Sequence, residues 1–266
     1  MHSAGRDILR QSSVIAAAVF MLIGAAVGGG AFGGDSVDEL QNGALSAEGS
    51  YLAPAGPAFA IWSVIYLGLA AYTIWQALPA QRTNPRQVRT GWWIALSMVL
   101  NGLWLVAARY LTLPLTVVVI ALLLIVLAVV IVRLGRPAAG WLELILLDGT
   151  MGLHFGWVTI ATVANTAAWL TQTLPDDLAD QADVWGVAVL VVVTIIGALG
   201  ALVTRRIAPA LATAWGLAWL AVGRLTGEPH STAIGIAGIA AAVVIVLAGI
   251  AGRARVREPV ARTLEG

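Results

Sequence analysis

Apolar runs of roughly eighteen or more residues recur about eight times along this chain of 266 residues. They fall at roughly 12–33, 56–78, 91–109, 111–132, 141–168, 184–203, 208–223 and 231–251. Most are long enough, as helices, to cross a hydrocarbon core of about 30 Å. Inside lipid no water pairs with a peptide group, so such segments must satisfy their own backbones as helices. The expected fold class is therefore all-α, a polytopic membrane helix bundle of about eight transmembrane helices. Composition agrees, at 59% apolar and 11% charged, with a mean hydropathy of +0.88.

The charges lie where such a bundle needs them. All 15 basic residues are arginine. Arg6, Arg10, Arg82, Arg86, Arg89, Arg133, Arg136, Arg205, Arg206, Arg253, Arg255, Arg257 and Arg262 occupy the chain ends or alternate gaps between spans. The other gaps are acidic, with Asp35, Asp38, Glu39 and Glu48 in the first and Asp176, Asp177, Asp180, Asp183 and Glu228 later. Arg109 and Arg224 break the alternation, and Arg224 is expected to pair with Glu228 at the surface. Basic residues collect on the cytoplasmic side, so both termini are expected there, which requires an even number of spans. The expected location is an inner cell membrane, with the first helix retained.

Absent residue types exclude several chemistries. Without Cys there is no disulfide framework or thiolate metal site. Without Lys there is no retinal Schiff base and no phosphate-loop lysine. The net charge of +1 conceals a strong sidedness, in which arginines orient the chain on anionic lipid rather than bind nucleic acid. No nucleophile–base–acid arrangement emerges, so the sequence leaves enzymatic activity open and unsupported.

The chain divides in a simple order. The first span carries Gly24 and Gly28, spaced to let another helix approach closely. An acidic loop from Gly34 to Ala53 follows, a candidate lid. It leads through Pro54-Ala55-Gly56-Pro57 into the second span, where proline suits a first helical turn. The expected boundaries are a five-helix unit over 1–170, an outer loop over 171–183, three further helices over 184–251 and a cytoplasmic tail over 252–266.

Helical phasing, about 100° per residue, sorts the polar and aromatic residues. Phe59, Trp62, Tyr66, Leu69 and Thr73 share a stripe on the second span. Ser97, Asn101 and Trp104 share one on the third. Glu143, His154, Trp157, Ala161 and Asn165 align on the fifth, with Trp169 nearby. Polar groups within a bilayer turn toward other helices or a cavity. If the stripes converge, they enclose an aromatic pocket with a few hydrogen-bonding points. Asn101 and Asn165 serve equally well as interhelical hydrogen-bonding groups. Trp92, Trp93, Trp141 and Trp185 read as interfacial anchors. One isolated histidine gives no metal site. Asp148 reads as a buried, hydrogen-bonded acid, and with His154 it motivates an alternative, a small proton-coupled transporter.

The patterns Phe59-x-x-Trp62-x-x-Ile65-Tyr66, Leu100-Asn101-x-x-Trp104 and Trp157-x3-Ala161-x3-Asn165-x3-Trp169 resemble the second, third and fifth helices of the TspO/MBR family, the tryptophan-rich sensory or translocator proteins. The resemblance covers about residues 12–170, making the first five spans a TspO-like module with three added helices. It implies a cavity, capped by the loop after the first helix, that binds porphyrins and other flat hydrophobic ligands. Trp62 and Trp157 resemble the family's paired pocket tryptophans, Ala161 its small fifth-helix residue, and Asn101 and Asn165 its helix amides. The family's Lys-Pro-x-Trp-x-Pro-Pro stretch is replaced here by Ala53-Pro54-Ala55-Gly56-Pro57-Ala58. Thr166 and Leu170 stand where its sterol-recognition pattern needs a tyrosine and a basic residue, which disfavours sterol. The expected ligand-binding residues are Phe59, Trp62, Tyr66, Asn101, Trp104, His154, Trp157, Ala161 and Asn165. No cofactor is expected, although a porphyrin is a possible ligand. The expected partners are the lipid bilayer and a small hydrophobic ligand, with a homodimer possible.

Overall fold

The computed structural model describes residues 4–28, 30, 33, 36–135, 137–138, 140–175 and 180–255. Eight long helices make up the described fold: α1 (Ala4–Gly28), α2 (Gly56–Ala77, opening as a 3-10 turn), α3 (Pro85–Tyr110), α4 (Leu113–Arg133), α5 (Trp141–Thr173), α6 (Ala182–Thr204), α7 (Ile207–Thr226) and α8 (Thr232–Ala254). Seven are long and apolar enough to cross a membrane; α7 is the exception. Its 20 residues still span about 30 Å at 1.5 Å per residue. It carries Pro209, Thr213 and Arg224, and all three are buried. One face of this helix packs on α5 and α8 and takes in these residues, while Leu211, Trp215 and Val222 stay exposed on the other. Asp176 and Asp177, Arg136 and most of the 252–266 tail lie outside the described residues.

The first five helices form a ring. Packing runs α2 to α1, α1 to α3, α3 to α4 and α4 to α5, and α2 closes against α5. Small residues set the close approaches. A Cβ at Gly24 would stand 3.4 Å from the Gly102 Cα, so α1 and α3 touch nearly backbone to backbone there. The remaining helices attach through α7, which packs on α5 and α8, while α6 packs mainly on α8. At the α5–α7 seam a Cβ on Gly156 would lie 2.2 Å from the Pro209 carbonyl oxygen. That separation is far below contact distance, and only glycine allows it.

One end of the bundle is tied by arginines. Arg10 donates to the Arg82 carbonyl at 2.9 Å, joining α1 to the α2–α3 loop. Arg86 grips Asp148 with both terminal nitrogens at 2.9 Å, and Arg206 donates to the same carboxylate. Arg86 also reaches Glu143 at 3.2 Å, and Arg206 reaches the Gly135 carbonyl at 2.7 Å. Asp148 thereby joins α3, α5, the α4–α5 loop and the α6–α7 junction. It was expected as a buried, hydrogen-bonded acid with a place on a proton path. It is buried, but as an anion shared by two guanidiniums, and it is not linked to His154.

The opposite end holds the acidic loops. Arg224 is buried and donates to the carbonyls of Ser50 at 3.2 Å, Ala47 at 3.1 Å and Glu228 at 3.1 Å. The expected surface pairing with the Glu228 carboxylate is therefore replaced by a buried strut beneath the first loop. Arg206 and Arg224 stand at opposite ends of α7, so that helix traverses the bundle.

α5 is not one regular helix. Leu144–Gly149 form a π turn before the α-helix resumes at Thr150. A π turn accommodates extra chain and rephases the residues beyond it. Glu143 is consequently off the stripe of His154 and Trp157; it pairs with Arg86 instead.

Candidate functional site

Four helices and one loop converge on a cavity at the acidic-loop end of the ring, with α4 contributing Ile120 and Leu123. Phe59 and Trp62 from α2, Asn101 and Trp104 from α3, and Trp157, Ala161 and Asn165 from α5 line it. The loop contributes Val37, Ala44, Leu45 and Ser46, then Ala53 and Pro54. The segment expected as a lid thus forms one wall. The space open to the centres of water-sized molecules is about 50 Å³. A single water needs roughly 10–15 Å³ on this measure, so the cavity has room for a few waters. A flat macrocycle requires the walls to move.

The aromatic wall is braced from behind. Trp62 stacks on Tyr66 with centroids 5.2 Å apart and meets Trp157 edge to face at 6.2 Å. Phe59 meets Trp157 edge to face at 5.5 Å. Such offset and edge contacts add about 0.5–1.5 kcal/mol beyond area burial. Tyr66 and His154 do not line the cavity. The Tyr66 hydroxyl donates to Asn101 Oδ1 at 3.1 Å, and the His154 ring packs edge-on to Trp62 at 5.9 Å. Both position the cavity aromatics from the side facing away from the opening.

The amides are committed to interhelical bonds while they face the cavity. Trp104 Nε1 donates to Asn165 Oδ1 at 2.9 Å, and Asn165 Nδ2 donates to Thr116 Oγ1 at 2.8 Å. Asn165 therefore ties α3 to α5 and α5 to α4. Trp157 is different: it is fully buried, and among the described residues its Nε1–H has no hydrogen-bond partner. Both His154 ring nitrogens are likewise buried without a partner among the described residues.

A family model described as TSPO-like protein matches residues 10–251 of this chain. The chain belongs to the TSPO-like family. No curated protein and no solved structure matches it. The family match runs beyond the five-helix ring through α6, α7 and α8, the helices that carried few sequence signals.

The packing of this TSPO-like chain gives those helices work. Trp215 of α7 donates to the Ala58 carbonyl at 2.9 Å, and the Ala55 N–H donates to the Trp219 carbonyl at 3.1 Å. Together with Arg224, these bonds hold the loop and the start of α2, both of which border the cavity. Thr116, Trp215, Trp219 and Arg224 were not among the expected site residues. Thr116 had a signal, since it is the one polar residue between Leu115 and Val132 in the most apolar span. Arg224 stood out as a basic residue in an acidic gap, but the α7 contacts themselves had no signal, because hydrogen bonds to main-chain carbonyls leave no residue pattern. Trp93 carries Arg133 over its ring at 5.1 Å and Trp185 meets Tyr51 edge to face, so these two expected anchors also make defined contacts. Trp141 and Trp92 are exposed on the bundle surface.

Proposed function

We propose that this membrane protein binds a flat hydrophobic ligand of tetrapyrrole type in the Phe59–Trp62–Trp104–Trp157 cavity, in a sensing or handling role. The observation that carries the reading is the convergence of seven expected residues from three helices on one lid-covered cavity. Once the walls move, the buried Trp157 N–H becomes a donor for a polar edge of the ligand. Entry requires the 36–54 loop to lift, because the closed cavity holds only a few waters. In this reading the arginine-rich end faces the cytoplasm, which places the lid and cavity mouth on the outer side of an inner membrane.

Titration of the purified protein with protoporphyrin, followed by tryptophan quenching, tests the proposal. Saturable quenching is expected, and it should weaken at least tenfold when Trp62 and Trp157 are both replaced by Leu. Unchanged binding in that double variant refutes the site. The alternative of a proton-coupled transporter gains nothing from the geometry, because guanidinium groups occupy both Asp148 oxygens.

A further inference from the structure

A second cavity opens at the arginine-rich end, about 120 Å³ for the centres of water-sized molecules. Asp148, Arg205, Arg206, Ile207, Ala208 and Arg253 are on its walls. Three arginines and one aspartate therefore line it, and Arg86 already shares the Asp148 carboxylate. Among the described residues Arg205 and Arg253 form no ion pair. The lining thus holds two positive charges in excess.

Its donors are also incompletely used. Arg206 is buried, its two terminal nitrogens are bonded, and its buried Nε has no partner among the described residues. α7 begins at Ile207 with no side-chain cap, and Ile207 and Ala208 of its first turn are on the cavity wall. An uncapped helix N-terminus carries partial positive charge and is suited to an oxyanion. Arg205 ends α6 in the left-handed region, at φ 56°. Glycine is usual at such a position, and strain of this kind collects at functional sites.

We propose that this cavity binds a phosphate group, carried by a phospholipid headgroup. Donors from the α6–α7 junction, the first turn of α7 and the last turn of α8 suit a tetrahedral phosphate oxyanion better than a planar carboxylate. The volume admits such a group, since one water needs roughly 10–15 Å³ on the same measure. A lipid is favoured as the source because Ile145 on α5 and Val203 on α6, next to cavity-lining stretches, expose apolar side chains on which acyl chains can lie. The arginines of this end also place the cavity at headgroup level.

Native mass spectrometry of the full chain in mild detergent tests the proposal, with three probes: phosphatidylglycerol, diacylglycerol of the same chains, and inorganic phosphate. One equivalent of phosphatidylglycerol is expected to bind, with diacylglycerol at least tenfold weaker. The double variant Arg205→Gly, Arg253→Gln should weaken phosphatidylglycerol at least tenfold, while Arg89→Gln, an exposed arginine outside the cavity at the same end, should not. Arg205→Gly alone should also raise the melting temperature without lipid, because it relieves the left-handed backbone; a merely structural arginine would lower it. Inorganic phosphate binding as tightly as the lipid supports the phosphate site and overturns the lipid as its source. Diacylglycerol binding equally well, Arg89→Gln weakening the lipid as much as the double variant, or no binding by any probe overturns the proposal.

Discussion

Replacing Asp148 by Asn separates two accounts of that residue. In the structure its carboxylate takes two bonds from Arg86, one from Arg206 and one, at 3.4 Å, from the Ala138 N–H. Arg86, Arg206, Glu143 and Asp148 together sum to zero charge. The side chains of Asp148 and Arg206 are 5% and 3% exposed, so water screens the pair little. Asparagine leaves one oxygen for four donors, turns an N–H toward a guanidinium and strands a net positive charge. Removing one partner of a buried ion pair costs about 3–5 kcal/mol. For a chain of this size each kcal/mol lowers the melting temperature by roughly 2–4 °C. A drop of roughly 6–20 °C is therefore expected, read by intrinsic fluorescence in one detergent at one scan rate. A neutral, proton-carrying acid would be mimicked well by the amide and would melt almost unchanged. Melting within about a degree of the parent would refute the ion-pair account on the same scale. A double-mutant cycle with Arg206→Gln adds a second check: coupled residues deviate from additivity by about 0.5–3 kcal/mol. Strict additivity would deny that Asp148 and Arg206 act together.

Three further outcomes are expected from the same geometry. Asn165→Leu strands the Trp104 indole N–H and removes the bond to Thr116, and at about 0.6–1.7 kcal/mol for each such bond in a bilayer should destabilise the fold by about 1–3 kcal/mol; a melt matching the parent would contradict it. Arg224→Gln weakens three bonds to main-chain carbonyls, each charged bond contributing about 1.5–3 kcal/mol, so amide exchange across 44–54 should quicken at least tenfold, and unchanged exchange would remove Arg224 as the strut. His154→Leu deletes two unpartnered ring nitrogens, so the melt should rise by about 1 kcal/mol in stability while protoporphyrin quenching persists; lost quenching would instead place His154 in contact with ligand.

The reach of the sequence depended on the kind of force involved. Hydrophobicity acts over whole segments, so the eight helices, seven of them long and apolar enough to cross a membrane, and the alternation of arginines were readable from the chain. Helical phase was readable wherever the helix stayed regular, and Phe59, Trp62, Asn101, Trp104, Trp157, Ala161 and Asn165 meet on one cavity. It failed at Glu143, where the π turn breaks the count. Tyr66 and His154 kept the expected phase but sit one layer back, because a stripe wider than the cavity must pack its flanks on neighbouring side chains. The roles of Arg206 and Arg224 depend on which distant carbonyls and carboxylates folding brings near, and no local pattern encodes that. Arg224 stood out only as a basic residue in an acidic gap.

The π turn in α5 makes one helix into two screws of different pitch on a common shaft. Its inner thread engages the arginine network, and its outer thread carries Trp157, Ala161 and Asn165 to the cavity. Losing a single residue within 144–149 would re-thread the helix by roughly 100°, swinging the indole out of the pocket while the hydropathy profile barely changed. The length of that turn is thus a mechanical setting, aligning a binding wall with an anchor some four helical turns away.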